Sequence, residues 1–308
     1  MKRIFIATTS FARHSDKALE LLRNNECNIS MNQSGRKLRN NEIGKYINGC
    51  DGVIAGTEEY SKTILDQVTN LKVISRLGVG LDNIDLEYTD KKNIKVYRTE
   101  SNPALAVSEL TLNLILDLLR KTSLHGTRMK AGTWQKAMGS LLSGKTLGII
   151  GLGTIGKQLV NLTKGFDLTY LAYDINVDEE FAGKNNVIYC ELNELLVQSD
   201  ILSIHLNLTP DTKSLINFDA FRKIKPGAVL INTSRGEVVN EENLIEALDR
   251  KFISAAGLDV FQEEPYTGPL LEYDNVVTTP HIGSYAQEIR EQMELEAAHN
   301  LMKGLEDD

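Results

Sequence analysis

A chain of 308 residues exceeds the usual size of one domain, so two domains are expected. With 42 % hydrophobic and 25 % charged residues and a net charge of −8, it has the makeup of a soluble globular protein with no overall attraction for nucleic acid or an anionic membrane. Its three cysteines (Cys27, Cys50, Cys190) lie far apart and without metal-ligand spacing, which argues against a disulfide framework or a metal centre and for a reducing, cytoplasmic setting.

In chain order, "MKRIFIATTSF" has too short an apolar run for a signal peptide and reads as a first β-strand. The runs "GVIAG", "KVISR" and "IKVYR" continue a strand series through the first hundred residues. The stretch "PALAVSELTLNLILDLLRK" (103–121) predicts a long helix, with Pro103 in the first turn and an apolar face of Ala106, Leu110, Leu114, Ile115 and Leu118. Its most apolar part is broken by Asn113 and Asp117 and is too short to cross a bilayer, so no membrane partner is expected. Residues 122–145, with four glycines and the single Trp134, read as a connecting arm that covers a neighbour or a partner subunit. Strands then alternate with helices: "TLGIIG", "LTYLAYD", "NVIYC", "DILSIHL", "AVLINT", "AAGLDV" and "NVVTT" are the strand candidates. In "NEENLIEALDRK", Leu244, Ile245 and Leu248 recur at helical spacing. The alternation argues an α/β architecture of parallel sheets with right-handed crossovers. The expected division is 1–101 plus 285–308 against 102–284, with the last helix, "YAQEIREQMELEAAHNLMKG", folding back onto the first domain.

Gly151, Gly153 and Gly156 form G-x-G-x-x-G directly after an apolar strand and at the start of a helix. The first glycine permits a tight turn, the second lets the backbone approach a pyrophosphate, and the third lets helix and strand pack closely. Asp174 closes the next strand, where a carboxylate accepts hydrogen bonds from a ribose and repels a 2′-phosphate. No Arg or Lys follows it until Lys184, so NAD is favoured over NADP. A methyltransferase or flavin site can share this turn, so the rest of the chain must decide.

Arg235, Glu264 and His281 fall at or beyond the ends of later strands, where an open parallel sheet binds its ligands. Their chemistry is complementary. Hydride transfer at a carbinol carbon requires a proton to move on the attached oxygen, a duty that suits histidine. A carboxylate orients such a ring, and an arginine fork holds a substrate carboxylate while polarising the reacting carbonyl. Among the other histidines, His205 ends a strand and is expected to line the cofactor cleft.

The stretches "SRLGVGLDNIDL", "GIIGLGTIGKQL", "PDTKSLINFDAFRKIKPGAVLINTSRGEVVN", "AAGLDVFQEEP" and "TTPHIGSY" resemble the D-isomer-specific 2-hydroxyacid dehydrogenases, nearest to the phosphoglycerate dehydrogenase branch. The resemblance implies two Rossmann-like or flavodoxin-like domains with the active site in the cleft between them. It implies His281 as acid/base, Glu264 as its partner and Arg235 as the substrate-orienting cation. It places the backbone of Val79 and Gly80 on the substrate carboxylate, and Thr154, Ile155 and Asp174 along the pyrophosphate and ribose of NAD. Thr233, Ser234, Asp259 and Gly283 fall at the nicotinamide end, with Asp259 bonding the amide. A homodimer through the cofactor domain is implied as well. The loop after the third strand reads "GTEEYSKT", without the basic residues that better-known relatives set near a substrate phosphate. Lys62, Arg76 or a partner subunit would have to compensate. Asn207 stands where a proline is common, and an end at Asp308 leaves no expected regulatory domain. The substrate expectation is a small 2-hydroxy or 2-keto acid, with 3-phosphoglycerate first and glyoxylate, hydroxypyruvate or another 2-keto acid as alternatives. A second class, an NAD(H)-sensing corepressor-like binding protein, shares the same residues.

Overall fold

The computed structural model describes residues 1–100 and 103–306. The chain forms two compact units, Met1–Asn102 with Tyr285–Asp308, and Pro103–Ser284. The expected cut between residues 101 and 102 falls outside the described residues. Among the described residues, no helix is long and apolar enough to cross a membrane.

The first unit is a five-stranded sheet of β1 (Lys2–Ile6), β2 (Cys27–Met31), β3 (Gly52–Ala55), β4 (Val73–Arg76) and β5 (Lys95–Arg98), in the order β2-β1-β3-β4-β5. Every pairing is parallel. Helices α1 (Lys17–Asn24), α2 (Asn40–Ile47), α3 (Lys62–Leu65) and α4 (Leu86–Lys91) make the crossovers. Side chains alternate between the two faces of a strand, so both faces must be covered. Ile4, Ile6, Ile54 and Val73 pack with Leu19 and Leu22 of α1 and with Met293, Ala297 and Leu301 of the C-terminal helix (Gln287–Glu306). Phe5, Val53, Ala55 and Ile74 pack on the other side, with Ile43 and Ile47 of α2 and Ile64 and Leu65 of α3. The Ser75 hydroxyl donates to the carbonyl of Ala297 (2.8 Å), tying β4 to the C-terminal helix. Strand β2 was not among the expected strands. It is an edge strand, "CNISM", with Asn28 and Ser30 exposed and its other residues only half-buried, so it lacks the continuous apolar run of its neighbours.

The second unit is a seven-stranded parallel sheet of β6 (Thr146–Ile150), β7 (Thr169–Tyr173), β8 (Val187–Tyr189), β9 (Ile201–Ile204), β10 (Val229–Asn232), β11 (Ala255–Leu258) and β12 (Val276–Thr278). The order β12-β11-β10-β9-β6-β7-β8 reverses direction between β6 and β9, a crevice where such Rossmann-like sheets take their ligands. The long helix α5 (Ala104–Arg120) buries Leu114, Ile115 and Leu118 on one face of this sheet. The arm after it opens with a helix, α6 (Thr122–Lys130), rather than an irregular connector. Helices α7 (Thr154–Thr163), α8 (Glu179–Asn185), α9 (Leu192–Gln198), α10 (Phe218–Lys223) and α11 (Glu241–Asp249) complete both layers.

Candidate active site

The glycine turn joins β6 to α7 at the switch point. Gly151 sits at φ +97°, and a Cβ there would lie 2.8 Å from the carbonyl oxygen of His205, so only glycine fits. A Cβ on Gly156 would lie 2.6 Å from the carbonyl oxygen of Gly151, which is the close packing of helix on turn. At Gly153 a Cβ would meet nothing within 4 Å, and both Gly153 and Thr154 are exposed. The turn is thus closed on the protein side and open on the side where a ligand would lie. The amides of Thr154 and Ile155 fall in the first turn of α7, which leaves N–H groups without intrahelical acceptors and carries no acidic residue. A pyrophosphate fits this cradle.

Beyond β7, one Asp174 oxygen accepts the amide of Asn176 (2.8 Å) in a local turn. Lys157 of α7 bonds Asp178, and Asp178 caps α8 by accepting the amide of Phe181 (3.0 Å). That lysine is therefore committed to shaping the loop after Asp174. Across the switch point, the ring of His205 contacts the Ser203 hydroxyl through Nε2 (2.8 Å), while its Nδ1 is closed to solvent and has no hydrogen-bond partner among the described residues. Burial depresses its pKa to about 4, so it is neutral at ordinary pH.

The ends of β10, β11 and β12 hold the remaining polar residues. Asn232 ends β10 and folds the next turn onto itself. Its amide nitrogen donates to the carbonyl of Arg235 (2.9 Å), and its oxygen accepts both the amide (3.1 Å) and the hydroxyl (2.8 Å) of Ser234. The Thr233 hydroxyl meets that of Thr111 on α5 (2.9 Å). Arg235 follows in extended backbone, with Nη1 donating to the carbonyl of Ser234 (2.8 Å). After β11, the buried Asp259 carboxylate accepts the Thr279 hydroxyl (2.5 Å) and the amides of Ile282 (2.8 Å) and Gly283 (2.8 Å). Burial raises the Asp259 pKa, against the pull of these donors and of His281. Its two oxygens thus clamp the 279–283 loop from both sides of His281. The clamp holds His281 at φ +54°, a left-handed conformation that costs a non-glycine residue roughly 1–2 kcal/mol. The imidazole Nδ1 then lies 2.9 Å and 3.1 Å from the two carboxylate oxygens of Glu264. The Glu264 carboxylate is itself anchored by the amide of Phe261 (3.3 Å).

Val79 and Gly80 belong to the first unit, in the turn after β4. Among the described residues, their amides donate to no protein acceptor, whereas the Gly78 amide is taken by Arg76 O (3.0 Å) and the Thr99 hydroxyl (3.0 Å). Asn232, Thr279 and Thr111, which shape the site, were not singled out from the sequence. The spacing of Asn232 to Ser234, a strand-end Asx turn, was the one local signal available for them.

Comparison with known proteins identifies the family. The profile of the D-isomer specific 2-hydroxyacid dehydrogenase NAD-binding domain matches residues 112–283. A hydroxypyruvate reductase of Thermotoga maritima is 36 % identical over 296 residues, covering 94 % of this chain and 95 % of that protein. A glyoxylate reductase of Thermofilum pendens is 41 % identical over 256 residues, covering 80 % and 75 %. The chain spans about half the length of the D-3-phosphoglycerate dehydrogenases it matches. The crystal structure of D-lactate dehydrogenase from Aquifex aeolicus with NAD and lactic acid superposes with a TM-score of 0.83 at 28 % identity, covering 100 % of this chain and 96 % of that one. By its glycine turn, its polar strand ends and these matches, the chain belongs to the D-isomer specific 2-hydroxyacid dehydrogenase family and is an NAD-dependent enzyme.

Proposed function

We propose that this enzyme interconverts a small D-2-hydroxy acid and its 2-keto form, with Arg235, Glu264 and His281 carrying the reaction. The contact of His281 Nδ1 with Glu264 at 2.9 Å supports this reading above all. It commits one ring nitrogen to the carboxylate, which fixes the tautomer and ring plane and leaves Nε2 to exchange a proton with the substrate oxygen. NAD supplies the hydride acceptor or donor when bound. In the reducing direction, His281 Nε2 delivers a proton to the oxygen as it gains charge. Arg235 and the open amides of Val79 and Gly80 bind the substrate carboxylate, and the arginine also polarises the carbonyl. Asp259 holds the loop that presents His281. Asp174 accepts the ribose hydroxyls and disfavours a 2′-phosphate, while His205, Thr233, Ser234 and Gly283 border the nicotinamide end. In this reading the first unit is the substrate domain and the second the NAD-binding domain.

Relatives act on hydroxypyruvate, glyoxylate and 3-phosphoglycerate by name, and these define the substrate range to test. A homodimer through the second unit is part of the proposal. The arm exposes Trp134 (80 %), Met138 (89 %) and Leu141 (70 %), apolar side chains that a partner subunit would cover. The proposed setting is the cytoplasm, where the three cysteines stay free.

NADH oxidation with hydroxypyruvate, phosphohydroxypyruvate, glyoxylate, pyruvate and branched 2-keto acids tests the activity. Turnover on at least one is expected; binding of NADH with turnover on none would favour an NAD(H)-responsive binding protein. Asp174→Ala is expected to raise the efficiency with NADPH relative to NADH. An unchanged ratio would remove the role given to that carboxylate.

A further inference from the structure

The turn that carries Arg235 continues into a single 3-10 turn, Gly236–Val238, in which Gly236 is buried. Gly236 is not among the residues at positive φ, so its backbone conformation does not call for glycine. The space does. A Cβ there would lie 2.0 Å from the carbonyl carbon and 2.2 Å from the carbonyl oxygen of Phe261, and 2.5 Å from the amide nitrogen of Gln262. Two main chains therefore touch at this point with no side chain between them. The Gln262 side chain reinforces the contact, its amide nitrogen donating to the carbonyl of Val239 (3.0 Å). Neither side has slack behind it. The amides of Ser214 and Ile216 donate to the carbonyls of Glu237 (2.8 Å) and Val238 (3.1 Å), and the Phe261 ring stacks on Tyr266 with centroids 4.2 Å apart.

This contact joins the two halves of the site within the second unit. On one side, Asn232 folds the turn that presents Arg235. On the other, the Phe261 amide anchors Glu264, whose carboxylate holds His281. The ladder between β10 and β11 stops at Asn232 and Leu258, short of both Arg235 and Phe261. Past its end, the Gly236 contact and the Gln262 bond carry the alignment of the two segments.

We propose that Gly236 is a positioning residue that sets the distance between the Arg235 fork and the Glu264–His281 pair, with Gln262 as its support. This rests on the dehydrogenase reading above. In that reading the arginine polarises the carbonyl that the imidazole protonates, so both must meet one oxygen. Carbon atoms in contact sit about 3.5–4.0 Å apart, so even an alanine at position 236 forces the two chains apart by about 1 Å or more. A displacement of that size at reacting groups costs roughly 100-fold in rate.

The test is steady-state kcat with NADH and whichever of hydroxypyruvate, glyoxylate or pyruvate wild type reduces fastest, in Gly236→Ala, Arg235→Lys and the double variant. Gly236→Ala is expected to lower kcat roughly 100-fold, with NADH affinity by fluorescence titration within about twofold of wild type. In the Arg235→Lys background, which has already lost the fork, the same substitution should lower kcat by less than about threefold. Equal losses in the two backgrounds would mean that Gly236 does not act through Arg235, and they overturn the proposal. So does a folded Gly236→Ala enzyme with wild-type kcat, or one whose NADH affinity falls in step with kcat. If Gly236→Ala does not fold, as judged by circular dichroism, Gln262→Met carries the same comparison, since it removes only the bond to Val239. Its expected fall in kcat is roughly 10-fold, again lost in the Arg235→Lys background, and an unchanged kcat overturns the proposal. Failure of wild type on every 2-keto acid, with NADH still bound, breaks the dehydrogenase reading itself.

Discussion

At the carboxyl edge of the seven-stranded sheet, the segments that follow β10 and β11 are locked by side chains that bond back to the chain. Asn232 holds the turn before Arg235, Asp259 holds the loop on both sides of His281, and Glu264 holds the imidazole itself. The corresponding edge of the five-stranded sheet ends β4 in a turn whose Val79 and Gly80 amides donate to no protein acceptor among the described residues. Both units are parallel α/β sheets with both faces buried, so the difference is not architectural. Proton transfer demands a ring fixed to within a fraction of an ångström, and fixed rings need second partners. Holding a carboxylate needs only donors left open. On the proposed reading, one edge serves the chemistry and the other recognition.

Substitutions should separate these two roles. His281→Ala is expected to lower kcat by roughly 10³–10⁴-fold while NADH affinity changes less than about twofold. Near-wild-type turnover in stopped-flow assays would take the chemistry away from the second unit. Gly151→Val places a side chain against the His205 carbonyl at a positive φ. It should cost about 3 kcal/mol in chemical denaturation and abolish NADH binding by fluorescence titration. Retained binding would mean that the turn is not the cofactor cradle.

His205 tests whether burial at the switch point has a thermodynamic signature. Its folded pKa of about 4 lies below the unfolded value of 6.5, so the native state binds fewer protons between them and stability falls as pH drops through that window. Discounted for partial exposure, wild type should lose about 2 kcal/mol between pH 7 and pH 4.5 from this group. His205→Asn should flatten that part of the profile, and an unaltered slope in denaturant melts would show that the ring is not buried neutral. The smallest effect belongs to the first unit. Val79→Pro removes one open amide and should raise KM for the 2-keto acid about 10-fold with NADH affinity unchanged, since one hydrogen bond to a charged group is lost. A fall in kcat alone would contradict the division between recognition and chemistry.

The two parallel α/β sheets were legible because buried parallel strands are short apolar runs and the crossovers repeat at helical spacing. Strand β2 escaped because an edge strand with one exposed face carries no such run. Polar residues at strand ends were legible one by one. That Asp259 spends both oxygens on the loop carrying His281 was not, because Thr279, Ile282 and Gly283 lie 20 or more residues from it. Glu58 stands in a "GTEEYSKT" loop, and nothing in its neighbours announces that it is buried.

The sequence by itself determined what depends on residues close together along the chain. The glycine turn is such a feature, since its spacing and its need for positive φ are local, and so is the order of strands and helices. Only the tertiary structure decided which groups are spent and which are left open. Hydrogen bonds at strand ends are made between segments that meet through crossovers, so the placing of Glu264 on His281 Nδ1, the clamp on the His281 loop and the burial of Glu58 are properties of the packed sheet rather than of any stretch of chain.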